Sequence, residues 1–246
     1  MSSDTDAPAP GQGGVEWVYS STSSEQLIKR YDTWSASYEA EMEDNYGWSA
    51  PRRTAEVVQK HVPTTGRILD AGVGTGLVGQ LLSEVGYTDL TGFDFSPEML
   101  AQARLKNVYH DLRQMELGKK LDYESDSFDA VTCVGVLTLG HAPASSLDEM
   151  VRITKPGGHV IYSMRPDYRE PAGFVAKEAE LEEAPGHQAD IHPPAVGPPA
   201  VDDDAEHQTH QQNELHETSR RSTPPASRSR SAGRRHPAEL TPGGLL

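Results

Sequence analysis

Apolar positions along this chain fall into helical stripes and short continuous runs, and the changes between them mark its elements. Leu27, Tyr31, Trp34, Tyr38 and Met42 are spaced four, three, four and four apart, which puts them on one helix face. Thr22 and Glu25 stand ahead of them at capping-box spacing. A second helix is predicted from about Pro51 to His61, after Ser49. A turn over Pro63–Gly66 leads into a short apolar run, Ile68 and Leu69, that ends in Asp70. Gly72, Gly74 and Gly76 follow at alternate positions, and a helical run begins at Leu77 and stops at Gly86. Strand Leu90–Phe93 ends in Asp94, and Ser96-Pro97 opens a helix reaching Lys106. A weaker strand covers Leu112–Met115 and ends at Glu116; Phe128–Val134 is a clear apolar strand. Helix Ser145–Thr154 is broken by Lys155-Pro156-Gly157-Gly158, and His159–Met164 is the last strand, followed by a helix from Glu170 to Ala184. Strands alternating with helices through residues 67–164 predict an α/β fold, a parallel sheet covered on both faces.

Composition changes this picture mainly at the ends. The chain has 246 residues, of which 35% are hydrophobic, with 18 prolines and 22 glycines, and the apolar periodicity is confined to its middle. Residues 1–21 are expected to be a flexible leader, 22–184 a folded domain and 185–246 a disordered low-complexity tail. A net charge of −15 argues against general affinity for nucleic acid or an anionic membrane. Cys133 is the only cysteine, so no internal disulfide can form, and it is expected in the core. No apolar run approaches the roughly 18 residues of a membrane helix, and the first residues carry neither basic nor apolar signal-peptide features. A cytoplasmic monomer is expected. The tail histidines lack ordered ligand spacing, so no metal is expected, and its Arg/Ser run near 220–235 reads as solvated disorder.

Parallel strands bring their C-terminal ends to one edge, where ligands bind. Asp70, Asp94, Glu116 and the loop after Val134 therefore converge on one crevice. Asp94 stands where an acid can accept both hydroxyls of an unphosphorylated ribose. Phe95, Met99 and Met115 could sandwich an adenine, with Glu116 accepting from its amino group. The glycines tolerate positive φ and let a ligand approach bare backbone beside the unpaired first amides of a helix. Two adenosine cofactors fit this outline. Gly74–Gly79 spells G-x-G-x-x-G with Asp94 about 20 residues on, as a dinucleotide site requires. Asp70, however, would sit close to a pyrophosphate, and no Tyr-x-x-x-Lys pair exists: Tyr109 and Tyr162 are followed four positions later by Arg113 and Pro166. S-adenosylmethionine, with one free ribose, an ammonium and a sulfonium, fits an acid at position 70 better.

The segment I-L-D-A-G-V-G-T-G resembles the first motif of class I S-adenosylmethionine-dependent methyltransferases, and L-T-G-F-D-F-S-P-E-M-L resembles the second. S-F-D-A-V-T-C-V-G-V-L and K-P-G-G-H-V-I-Y resemble the fourth and fifth strands of that family, and Y-D-T-W-S-A-S-Y-E the leader helix of one of its subgroups. The resemblance covers about residues 24–184. It implies a Rossmann-like three-layer sandwich, S-adenosylmethionine as cofactor, and methyl transfer to an unidentified small-molecule or protein acceptor. It further implies that Gly72, Gly74 and Gly76 wrap the methionine and ribose portion, that Asp70 acts near the amino group, and that Asp94 holds the ribose hydroxyls. Phe95, Met115 and Glu116 would surround adenine, Val134 would meet the cofactor from the fourth strand, and Tyr31, Trp34 and Tyr38 would close over it. His141 is the best-placed candidate base, with Tyr162 and Arg165 as acceptor-side candidates. The family's closing strands 6 and 7 are not found, which leaves the fifth strand as an expected open edge. A non-catalytic cofactor-binding module and a nicotinamide-dependent reductase are the alternative functions.

Overall fold

The computed structural model describes residues 14–138, 141–183 and the backbone of 190–196. Six strands form one sheet in the order β3-β2-β1-β4-β5-β6, and every neighbouring pair is parallel. The N-terminal helices are α1 (Gly14–Tyr19), α2 (Ser24–Trp34), α3 (Tyr38–Tyr46) and α4 (Ala50–His61). Then follow β1 (Ile68–Ala71), α5 (Leu77–Glu84), β2 (Leu90–Asp94), α6 (Pro97–Leu105), β3 (Asp111–Gln114) and β4 (Phe128–Cys133). The chain continues with α7 (Ser146–Ile153), β5 (Thr154–Met164), α8 (Pro166–Arg169), α9 (Phe174–Glu183) and β6 (Asp190–Val196).

Strand β1 is the centre of the sheet. Its residues are all buried, Ile68 pairing with Leu90 on one side and Ala130 on the other. Alternation then sorts its side chains between two cores. Leu69 and Ala71 join Phe128, Val131 and Cys133 in a cluster covered by Leu147, Met150 and Val151 of α7 and Phe174 of α9. Ile68 joins Ala130 and Ile161 beneath Ala55 and Val58 of α4 and Val78 and Leu82 of α5. Helix, sheet and helix make three layers, and Cys133 is buried within one of the two cores. The strand order reverses between β1 and β4, which opens the switch-point crevice at their C-terminal ends.

Three boundaries differ from the sequence pattern, each for a local reason. The leader is not flexible over its last part: Val15 and Val18 of α1 are buried against Trp34, and Arg30 lies over the Trp17 ring at 5.3 Å and donates to the Trp17 carbonyl. The single aromatic helix is two, because the chain turns at Ser35–Ser37 and restarts at Tyr38. Its N-cap is Ser23, whose hydroxyl accepts from the Gln26 amide at 3.2 Å, while Thr22 pairs with the Gln26 side chain. Finally, Lys155–Gly158 does not separate helix from strand but lies inside β5. The register shifts there between Phe128 and Ala130, Gly157 takes φ +77, and Lys155 reaches Asp129 at 2.8 Å.

The C-terminal expectation is also corrected. β5 is not an open edge, since β6 lies parallel to it over 190–196, inside the segment expected to be disordered. Pro193 and Pro194 sit where its register shifts between Ile161 and Ser163, and an outer strand tolerates prolines at such an irregularity. Among the described residues no antiparallel closing pair follows. Residues 1–13 of the leader, and 184–189 and 197–246 of the expected tail, lie outside the described residues.

Candidate functional site

The crevice above β1, β2 and β4 is a roofed cleft with about 910 Å³ of empty space, open solvent included. That lies within the ~300–1,000 Å³ of small-molecule sites. Its floor is the glycine loop. Gly72, Gly74 and Gly76 all have positive φ, at 77°, 52° and 89°, but they do different work. A Cβ on Gly72 would lie 2.4 Å from Val136, and one on Gly76 would meet the Ala103 backbone of α6 at 3.1 Å. Both glycines are therefore close-approach positions, and Gly76 does not line the cleft. At Gly74 nothing lies within 4 Å, so its backbone is open to the cleft.

Asp94 closes one side at the end of β2. Its Oδ2 accepts from the Gly74 amide and its Oδ1 from the Ser96 amide, both at 2.9 Å, so the acid anchors the loop opposite it. Burial pushes its carboxyl up to about 6, against the pull of these amide bonds. The Phe95 amide adds a third such pull, and at neutral pH the group is an acceptor only. Phe95, Met99, Met115 and Leu117 add an apolar slot beside it, with Glu116 at the rim paired to Lys119.

Asp70 is placed differently from its expected role. It is buried, and its oxygens take the Tyr109 hydroxyl at 2.7 Å and the Thr132 hydroxyl at 3.0 Å; no part of it lines the cleft. It belongs to the strand face that carries Ile68, so it points beneath the loop and not across it. Burial raises it to about 6, while the two hydroxyls pull it down. Tyr109 completes the arrangement: the hydroxyl that donates to Asp70 accepts from the Gly79 amide at 3.1 Å. Helix α5 has no side-chain cap of its own at Gly76, and Gly79 is one of its first-turn amides. Tyr109 caps α5 from a distant loop, and a Cβ on Gly79 would lie 2.3 Å from its hydroxyl.

The roof comes from α2 and α3. Tyr31 and Tyr38 line the cleft; Trp34 does not, being buried behind them with its Nε1 donating to Glu41 at 2.9 Å. Helical spacing puts these aromatics on one face, but the break after Trp34 turns its ring inward under α1. The roof is tied to both banks. Asp32 accepts from the Ser96 hydroxyl at 2.6 Å on the β2 side, and Tyr31 meets His141 Nε2 at 2.9 Å on the β4 side. Thr138 holds His141 Nδ1 at 3.0 Å. Burial lifts the Tyr31 phenol well above its ordinary value, so it stays protonated at neutral pH. Val134, at the end of β4, also faces the cleft.

Tyr162 and Arg165 are not brought to the cleft. Tyr162 is fully buried with its hydroxyl donating to Glu178 of α9, and Arg165 pairs with Asp167 at 2.6 Å. Trp48, Thr75 and Tyr109 are among the contributors that the sequence pattern does not announce. Thr75 alone carried a signal, as a polar residue between two of the loop glycines. Trp48 and Tyr109 lie in irregular segments where no periodicity points to them.

Residues 69–162 match the family described as a methyltransferase domain. Human methyltransferase-like protein 27 is 34% identical over 161 residues, which cover 64% of this chain and 65% of that protein. Residues 69–162 are thus similar to methyltransferase domains. The matched methyltransferase domain holds the strands that floor the cleft, β1, β2 and β4, and the loop glycines with Asp94. A ubiquinone biosynthesis O-methyltransferase of Alkalilimnicola ehrlichii is 39% identical over 101 residues, covering 39% of this chain and 40% of its own length. The chain thus spans less than two thirds of either relative. A Haloferax volcanii methyltransferase solved with its Trm112 activator is similar at 23% identity and a TM-score of 0.47, over 58% of this chain and 67% of that one.

The residues present fit the cofactor of such a domain. The exposed backbone at Gly74, the acceptor carboxylate of Asp94 and the apolar slot beside it suit an unphosphorylated adenosine. Two buried polar atoms of the lining, Trp48 Nε1 and Thr75 Oγ1, have no protein partner. A ligand with acceptor atoms would satisfy them. Among the described residues no cluster of metal-ligating side chains occurs, and no helix is long and apolar enough to cross a membrane.

Proposed function

We propose that the cleft binds S-adenosylmethionine and that the chain transfers a methyl group to a small-molecule or protein acceptor. The observation that carries this reading is Asp94 set across from the open Gly74 backbone, an ionised acceptor beside an apolar slot at the strand-order reversal. The bound cofactor would supply a methyl group already activated on a sulfonium centre. The protein's part is then alignment and exclusion of water. Asp94 would receive the ribose hydroxyls, and Phe95, Met115 and Glu116 would surround the adenine. Gly72 and Gly74 would lie along the methionine end, with Val134 below and Tyr31 and Tyr38 above. Asp70 and Gly76 support the loop from behind, and Trp34 backs the roof.

His141 is the base we assign for acceptors that must lose a proton. Thr138 meets one ring nitrogen, and the hydroxyl of Tyr31, itself a lining residue, meets the other. As the acceptor atom forms its bond to the methyl carbon and the carbon–sulfur bond breaks, the acceptor's proton would pass to His141. A cytoplasmic monomer remains part of the reading, and the net charge of −15 supports the absence of general affinity for nucleic acid.

Calorimetric titration with S-adenosylhomocysteine tests binding, and incubation of the full chain with extracts and isotopically labelled S-adenosylmethionine tests transfer. Binding with a labelled product is expected. Binding without any product would make the chain a cofactor-binding module. Absence of binding would refute the reading.

A further inference from the structure

We infer that Asp32 is a positioning residue that latches the roof: its hydrogen bond with Ser96 holds α2 down over the cleft and breaks each time a ligand enters or leaves. The inference rests on the S-adenosylmethionine reading of the cleft and concerns how the cofactor is kept there.

The roof is a unit of its own. Val15, Val18, Leu27, Trp34 and Met42 of α1–α3 pack with one another in a cluster separate from the two cores of the sheet. Ser24, Leu27, Tyr31 and Tyr38 of the roof line the same cleft as Gly74, Asp94 and Phe95 of the floor. A nucleoside between them is covered by α2 and α3, so its exchange with solvent requires the roof to lift. The chain passes from α3 to α4 through residues 47–49, where Gly47 takes φ +51° and nothing lies within 4 Å of the place its Cβ would occupy. A left-handed glycine with open space around it gives the roof room to turn.

The polar ties that hold the roof down differ in strength. Glu39 of α3 meets Lys106 at 2.8 Å, but the acid is 39% exposed, and surface pairs of this kind contribute little. The Ser96 hydroxyl donates to Asp32 Oδ1 at 2.6 Å, a charge-assisted bond whose serine is fully buried. The same Oδ1 stands 3.4 Å from the Glu98 amide, so the carboxylate also faces the first turn of α6, where a helix favours an anion. Ser96 carries this hold into the floor. Its Oγ accepts from the Met99 amide at 3.0 Å, and its own amide donates to Asp94 at 2.9 Å. Beside it, the Phe95 ring meets the Tyr31 ring edge-on at 5.6 Å. Residues 31 and 32 of the roof therefore grip 95 and 96 of the floor, next to the acid that would receive the ribose. Neither Asp32 nor Ser96 lines the cleft, so Asp32 acts on a ligand only through the roof.

Stopped-flow tryptophan fluorescence on the full chain, with Trp48 of the lining as reporter, gives the association and dissociation rates of S-adenosylhomocysteine. Asp32→Ala should speed dissociation about 10-fold, the lower end of what a hydrogen bond to a charged group supplies, since Asp32 is only half-buried. Association should be no slower than in wild type, because the latch has to open before the ligand enters. Asp32→Asn keeps an acceptor at that place and should dissociate more slowly than Asp32→Ala. A purely structural role would instead lower the ligand-free melting temperature and slow association. Dissociation within about 2-fold of wild type, the range of an ordinary surface substitution, would overturn the latch while leaving the cofactor reading intact. So would slower association, or an Asn variant no better than Ala. A wild-type chain that does not bind S-adenosylhomocysteine would overturn both.

Discussion

Replacing Tyr109 by Phe removes one oxygen that the glycine loop depends on twice. That oxygen donates to Asp70 at 2.7 Å and accepts from the Gly79 amide at 3.1 Å. A hydrogen bond to a charged group contributes about 1.5–3 kcal/mol, and loss of a helix cap costs about 0.5–2 kcal/mol. Their sum, discounted because Tyr109 is only half-buried and the two bonds share one atom, is about 2–4 kcal/mol. For a folded region of this size that lowers the melting temperature by roughly 5–15 °C. Urea unfolding of the ligand-free chain measures the free energy, and the ring should keep its packing against Gly76 and Ala103. Asp70 should also titrate higher than in wild type, since the Tyr109 bond is the larger of the two that pull its value down. S-adenosylhomocysteine should bind more weakly, because α5 loses the support that positions its first turn. A stability change within about 0.5 kcal/mol, the size of an ordinary surface substitution, would refute the argument that Tyr109 caps α5 and holds Asp70.

Other outcomes follow from the same geometry. Asp70 and Asp94 both titrate near 6 when folded against 3.8 when free, so the folded chain holds protons that the unfolded chain releases. Their contribution is complete below the free value and lost as pH rises through about 6. Going from about pH 7.5 down to 5.5 should therefore add ~0.8 kcal/mol per acid, and thermal melts of Asp70→Asn should lack its share. Gly72→Ala places a methyl into Val136 and should lower stability by about 2 kcal/mol or more. Gly74→Ala meets open space, so beyond the ~1–2 kcal/mol of left-handed strain its main effect should be weaker S-adenosylhomocysteine binding by calorimetry. Tyr31→Phe cuts the tie to His141 and should slow methyl transfer while S-adenosylhomocysteine still binds. Trp34→Phe loses the bond to Glu41 and should cost about 1–3 kcal/mol in urea unfolding without changing binding, as it lies behind the roof.

What could be read from the sequence alone was local in origin. The short apolar runs at Ile68, Leu90 and Phe128 and the helices between them are set by local hydrophobicity and 3.6-residue spacing, so the parallel sheet was legible. The glycine loop and Asp94 were legible too, because a strand-ending acid and alternate glycines keep their meaning wherever the sheet forms. What depended on partners far along the chain was not. Asp70 stands in the right place on β1, yet its role was settled by Tyr109 and Thr132, 39 and 62 residues away. Trp34 lies on the same stripe as Tyr31, but only the turn at Ser35–Ser37 and the burial of α1 decide that it faces inward. Val15 and Val18 carry too short a pattern to announce a helix, and β6, rich in proline, pairs only because β5 offers an edge. A side chain's type and its neighbours in sequence determine which chemistry it can do. Whether its polar atoms are bonded, as in Asp70, or without a partner, as in Trp48 and Thr75, depends on long-range packing, and that is a property of the tertiary structure.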